Sequence, residues 1–178
     1  MGETTTWVLE RLDPEQHNVR KLRSGNEKVD AWLREVAKHA LSADTSITHV
    51  LAERTSQPGS RRRVVAYFSL AMADVDISSI PESEREGLPS GHRVPGALLT
   101  WLGIDRTLQG RGMGKTMLRM ATRKVVTAGE VIAARIMITD AIDARAQAFY
   151  EHFGFVALPT RPDRLIMSIA RLRRWLGS

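Results

Sequence analysis

Apolar positions along the chain change period several times, and each change marks an element. From Ser24 to Ser42 the chain reads SGNEKVDAWLREVAKHALS, with Val29, Trp32, Leu33, Val36, Ala37, Ala40 and Leu41 at i, i+3, i+4, i+7, i+8, i+11 and i+12. That spacing lays one apolar stripe along a helix, and Ser24 with Glu27 has the form of a capping box at its start. A short apolar segment, Trp7 to Leu12, precedes it. THVLAE and VVAYFSLA are brief and rich in β-branched or aromatic residues, and the polar RTSQPGSRRR between them predicts a hairpin with Arg61, Arg62 and Arg63 at its turn. Met72 to Gly96 holds Pro81, Pro89, Pro95 and the mixed-charge PESEREG, which predicts a long loop with at most one short helix.

ALLTWLGI, Ala97 to Ile104, reads as a buried strand and runs straight into LQGRGMGKT. Beyond the glycines, Met113, Met117, Ala121, Val125 and Ala128 form an i+4 row that should stop at Gly129, a favourable residue for ending a helix. ARIMIT then predicts a strand, DARAQAFYEHF a short helix, FVALP and LIMSIA two closing strands, and RLRRWL a terminal segment. The arginines of that segment suit either a phosphate-contacting surface or a solvated helix face with Leu172, Trp175 and Leu176 turned inward. Alternating strands and helices imply an α/β (α+β) class around a mixed sheet, and 178 residues suit one domain, 1–178.

Composition narrows the setting. No run approaches the roughly 18 apolar residues of a membrane span. With no cysteine and no basic, apolar leader, the expectation is a soluble, cytoplasmic protein without disulfides or thiolate metal sites. The net charge of +6 rests on arginine, 21 of 26 cations. Arginine forks suit phosphate, so a polyanionic partner is expected, although genomic base bias produces the same excess. His17, His39, His49, His92 and His152 show neither metal nor triad spacing, so no metal site is predicted.

The glycine stretch carries the sharpest chemistry. Where a strand passes to a helix through glycines, main-chain N–H groups converge at the helix head and favour an anion. A P-loop frame ending Gly114-Lys115-Thr116 requires glycine where Gln109 stands, and a dinucleotide frame from Gly110 and Gly112 requires glycine where Lys115 stands. The spacing that does fit is Gln109-x-x-Gly112-x-Gly114, which resembles the pyrophosphate motif of the GCN5-related N-acetyltransferases (GNAT). A second stretch, DAIDARAQAFYEHFGF, resembles that family's A-x-x-F-Y-x-x-x-G-F pattern through Ala146, Phe149, Tyr150, Gly154 and Phe155.

This resemblance implies a GNAT fold, with a central, mostly antiparallel mixed sheet of six to seven strands flanked by helices. It implies acetyl-CoA as cofactor, its pyrophosphate on Gln109, Gly110, Arg111, Gly112, Met113, Gly114 and Lys115. The pantetheine would lie along Leu102, Gly103 and Ile104, with the Ile104 N–H toward the thioester oxygen. Asp143, Ala146 and Phe149 would flank the thioester, and Tyr150 would donate a proton to the departing sulfur. An isolated Phe-Tyr pair is equally suited to plugging a core.

The chain is most similar, within that family, to the toxins of bacterial toxin–antitoxin pairs that acetylate aminoacyl-tRNA. Asp30, Trp32 and Leu33 match their early helix, AYFSLA one strand, and Arg93, Pro95, Leu98, Leu99, Leu102, Ile104 and Asp105 their central strand. FVALPTRPDRLIMSI matches their C-terminal part. The resemblance implies aminoacyl-tRNA as substrate, a ribbon–helix–helix antitoxin as partner and a homodimer. Arg93, Trp101, Arg161 and Arg164 are candidate tRNA contacts; Trp101 stands where many relatives carry arginine, and Asp143 where many carry asparagine. Two other readings remain open: an acetyltransferase for a small amine, antibiotic or protein N-terminus, and a non-catalytic basic module that binds nucleotide or RNA.

Overall fold

The structure is a computed structural model that describes residues 6–54, 59–88 and 93–177. The chain forms two compact units, one from the residues up to Leu70 with Trp101–Leu118, the other from Ala71–Thr100 with the residues from Arg119 onward.

In the first unit β1 (Trp7–Arg11) lies antiparallel to β3 (Ile47–Glu53), with Trp7 opposite Glu53. β3 lies antiparallel to β4 (Arg62–Asp76), so the predicted hairpin pair forms. The turn expectation needs correcting: Arg62 and Arg63 open β4, where β2 (His17–Asn18) pairs with them in parallel. Residues 55–58 of that predicted turn lie outside the described residues. The predicted helix also forms, but in three parts: α1 (Glu27–Ala31), a π-helical turn Trp32–Val36, and α2 (Ala37–Ser42). A π turn inserts an extra residue into the winding, so the apolar stripe slips. Val29, Leu33 and Ala37 are buried, whereas Val36 is 43% exposed. Asn26, not Ser24, is the cap: its Oδ1 accepts the Lys28 N–H at 3.0 Å. Ser24 instead donates its hydroxyl to buried Asp30 at 2.6 Å. The core around these elements joins Leu12, Leu22, Val29, Leu33, Val50, Val64 and Tyr67.

β5 (Arg93–Ile104) runs through both units and ends in the first. In the second unit its Gly96–Leu99 pairs in parallel with β6 (Ile136–Asp140), and Leu99 opposite Thr139 is the last rung. β8 (Arg161–Ser168) lies antiparallel to both β6 and β7 (Val156–Leu158). The strand order is β1-β3-β4-β5-β6-β8-β7 with β2 beside β4, a mixed and mostly antiparallel sheet as expected, with one short strand more than expected. α3 (Met113–Ile132), α4 (Ala144–His152) and α5 (Ile169–Gly177) complete the fold.

Two further expectations change. The long loop is largely structured: β4 continues to Asp76, two 3-10 turns follow at Ile77–Ser79 and Glu82–Glu84, and β5 begins at Arg93. Val75, Ile80 and Val94 are its buried anchors, a pattern too sparse to register as periodicity. Part of that segment, residues 89–92, lies outside the described residues. Nor does α3 stop at Gly129; it runs to Ile132, and Ala133 takes the left-handed φ of 55°. Gly129 serves contact instead, since a Cβ there would meet the Ala134 carbonyl oxygen at 3.1 Å.

Candidate active site

The glycine loop is pinned at its base before it opens. Asp105, directly after β5, accepts the Thr107 N–H at 3.1 Å, the Thr107 hydroxyl at 2.7 Å and the Arg23 N–H at 3.1 Å. Burial pushes its carboxyl up most strongly, but these donors and the Arg63 guanidinium together hold it below the usual carboxylate range. Arg106 N–H returns a bond to the Arg23 carbonyl at 2.8 Å. Gln109 closes the base: its side-chain amide donates to the Ser24 carbonyl at 2.7 Å and to the Ile104 carbonyl at 2.9 Å. The motif glutamine is therefore a clasp between the loop and the residues ahead of α1.

Past the clasp the chain turns outward. Gly110 and Gly112 have φ of 73° and 78°, and a Cβ at either would meet nothing within 4 Å. Their backbone angle, not lack of room, requires glycine. α3 begins at Met113, and its first turn closes with the Thr116 N–H on the Gly112 carbonyl at 3.1 Å. The head of a 20-residue helix thus faces an exposed loop flanked by Arg111 and Lys115, neither with an ion-pair partner among the described residues. Open space, amide donors and two cations together fit a diphosphate.

On β5, side chains alternate across the sheet, so Trp101 and Gly103 share one face and Leu102 and Ile104 the other. Gly103 is a close-approach glycine: a Cβ would stand 2.4 Å from the Tyr67 ring and 2.8 Å from Val29. Trp101 stacks on Trp32 at 5.7 Å, and Trp32 on Tyr67 at 5.9 Å. The residue expected at the substrate thus has a packing role as the half-buried end of an aromatic column.

The other predicted site residues lie in the second unit. Asp143 caps α4, its Oδ1 accepting the Ala146 N–H at 2.8 Å. One helical turn beyond Ala146, Tyr150 is 6% exposed and hydrogen-bonded to the Thr139 hydroxyl, at the last β5–β6 rung. Burial pushes its phenol up to about 12, against a smaller opposing effect of Thr139. Phe149 packs edge-on to Tyr150 at 5.2 Å and to Phe153 at 5.0 Å. The Phe-Tyr pair does plug a core, yet it leaves the phenol oxygen on a polar partner where sheet pairing stops.

Three predicted tRNA contacts are already engaged by carboxylates. Arg93 grips Asp74 through two bonds of 2.5 and 2.6 Å. Arg164 grips Asp140 at 2.6 and 2.7 Å, and Arg161 stands 3.4 Å from both Asp140 and Asp163. Two charged clusters escaped sequence reading. His17 accepts the Asp13 N–H at 2.9 Å on Nδ1 and meets Glu10 at 3.0 Å through Nε2. Buried Glu84 accepts the Ser168 N–H at 3.0 Å and pairs with Arg171. Their partners lie four to 87 residues apart, and the spacing within either set matches no motif in the chain. No group of three or more metal-ligating side chains occurs among the described residues, nor any helix long and apolar enough to cross a membrane.

Residues 28–155 match the model of the acetyltransferase (GNAT) family, well over half of the chain. The chain belongs to that family. Among its relatives, the tRNA-acetylating toxin of Mycobacterium tuberculosis is 34% identical over 167 residues, covering 90% of this chain and 91% of the toxin. The fold of this acetyltransferase is shared with AtaT complexed with acetyl-methionyl-tRNAfMet, at a TM-score of 0.85 and 20% identity, covering 95% of this chain and 98% of that one. It is likewise shared with a tyrosine-to-phenylalanine mutant of AtaT bound to the C-terminus of the antitoxin AtaR and acetyl-CoA, at a TM-score of 0.81 and 19% identity, covering 97% and 99% of the two chains.

Proposed function

We propose that this acetyltransferase moves the acetyl group of acetyl-CoA onto the α-amino group of an aminoacyl-tRNA and acts as a toxin that blocks translation. The observation that carries the reading is 34% identity to a tRNA-acetylating toxin across nine-tenths of the chain. The family match draws on residues of both units, which supports reading 1–178 as one acetyltransferase domain.

Acetyl-CoA supplies an activated acyl thioester. The amides from Gln109 to Gly114, with Arg111 and Lys115, bind its pyrophosphate; their open, donor-rich arrangement supports this assignment. Leu102, Gly103 and Ile104 line the pantetheine, and the Ile104 N–H stabilises negative charge on the carbonyl oxygen. Asp143 fixes the start of α4, Ala146 and Phe149 flank the thioester, and Tyr150 protonates the leaving sulfur. A phenol raised to about 12 stays protonated at any working pH, and the proton it gives to the thiolate is restored by the one that the acceptor nitrogen sheds after attack. An α-amino group, with a pKa of about 7.7–8.0, is substantially neutral near neutrality, and a dedicated strong base is unnecessary. Trp101 in the first unit and Arg93, Arg161 and Arg164 in the second are the proposed tRNA contacts, and at the arginines tRNA phosphates would compete with Asp74, Asp140 and Asp163.

The proposal extends to a cytoplasmic homodimer neutralised by a ribbon–helix–helix antitoxin. The solved AtaT complex with antitoxin and acetyl-CoA, similar in fold, supports the partner class. Incubation with acetyl-CoA and a pool of charged tRNA should yield an N-acetylated amino acid on tRNA, detected by mass spectrometry after hydrolysis. Acetylation of free small amines with none on tRNA would replace this substrate by the small-amine alternative.

A further inference from the structure

A cavity of about 460 Å3 opens in the first unit beside β2 and the 3-10 turn Val19–Lys21. Its floor is aliphatic: Leu12 and Leu33 are buried there and Val19 is half-buried. Among the described residues its rim carries Arg20, Arg34, Lys38 and Arg61 against one carboxylate, Glu15. Arg34 is shared with Glu27 at 2.5 Å and Glu35 at 3.7 Å, and Arg61 donates to the Glu15 carbonyl at 3.1 Å. Arg20 and Lys38 are exposed, with no ion-pair partner among the described residues. No residue assigned to the acetyl donor lines this cavity, so its charge serves something else.

The lining discriminates between polyanions. Single-stranded RNA is held by stacking its bases on aromatic rings, and no Trp, Tyr or Phe lines this cavity among the described residues. A phosphate backbone needs cations but gains nothing from an aliphatic floor. A polypeptide uses both: an aliphatic anchor buries its surface in the hollow while flanking carboxylates meet the rim. We propose that this cavity docks an acidic protein segment, with one aliphatic side chain on Leu12, Val19 and Leu33 and carboxylates against Arg20 and Lys38. The site is independent of the acetyl-transfer reading.

The test uses the full chain and fluorescein-labelled synthetic peptides in which a central Leu-x-x-Leu is flanked by glutamates, followed by anisotropy. Binding should weaken about tenfold or more in the double variant Arg20→Glu, Lys38→Glu, and equally when the peptide leucines become serine. Acetyl-CoA affinity in that variant, read by calorimetry, should stay unchanged. Both replaced residues are exposed, and Lys38→Gln, a milder change, should give an intermediate loss. The proposal is overturned by peptides that do not bind, by binding indifferent to the charge reversal or the leucines, or by a variant that loses uncharged tRNA instead of peptide. Failure to acetylate aminoacyl-tRNA bears only on the proposed reaction, because the titration reads no chemistry.

Discussion

At the scale of single residues, Tyr150 concentrates the chemistry. Replacing it by Phe keeps the ring contacts with Phe149 and Phe155 and deletes only the hydroxyl on Thr139. Turnover should fall by about 10²–10⁴ if the phenol is the general acid, with acetyl-CoA affinity nearly unchanged by calorimetry. Activity equal to that of the parent would remove Tyr150 from the reaction. A phenol near 12 cannot titrate between pH 6 and 9, so the rate should rise with pH through the acceptor amine's range, about 7.7–8.0, and show no descending limb there. The same shift has a stability consequence. Because the folded value exceeds the unfolded one, near 10, the contribution is intact below pH about 10 and is lost as pH rises through about 12. That loss amounts to about 3 kcal/mol, and denaturant titrations at alkaline pH should show it in the parent but not in Tyr150→Phe.

At the scale of elements, β5 and the loop it feeds show how one residue type answers two different demands. Gly112→Ala meets empty space but forces a left-handed φ, and should cost about 1–2 kcal/mol. Gly103→Ala drives a methyl into Tyr67 and Val29 and should cost more, about 1–3 kcal/mol from overpacking with further loss as the aromatic column shifts. Melting curves would rank the pair, and acetyl-CoA calorimetry should be affected by Gly112→Ala even where its melting temperature moves little. The loop was legible in the chain because its signal is local: glycines, a preceding apolar strand and a following helical row lie within a few dozen residues. The π turn in the first helix was not, because Val36 satisfies the apolar period and only packing reveals that the winding slips past it. The clasp by Gln109 was equally hidden, since Ser24 lies 85 residues away.

For the molecule as a whole, net charge and free charge differ. The sequence carries +6, but Arg93, Arg161 and Arg164 are matched by carboxylates. If tRNA binds through phosphates, its affinity should fall steeply with salt, by about 0.7–0.9 logarithmic units per logarithmic unit of salt for each phosphate contact. Arg111→Ala should weaken acetyl-CoA instead, a contrast that filter binding and calorimetry can separate. Opposite outcomes would exchange the two surfaces. What the amino-acid order determined by itself was everything encoded at short range: the strand–glycine–helix unit, the Asp143-to-Phe155 segment, and the alternation of strands and helices. Periodicity and backbone angles are properties of neighbouring residues, so they survive in a bare sequence. Tertiary structure alone decided which charges cancel, that Trp101 ends an aromatic column, that the Tyr150 hydroxyl rests on Thr139, and that an aliphatic hollow lies beneath four cations. Each of those depends on how the folded chain places side chains against one another, and burial, which sets both their energies and their proton affinities, exists only once the core has closed.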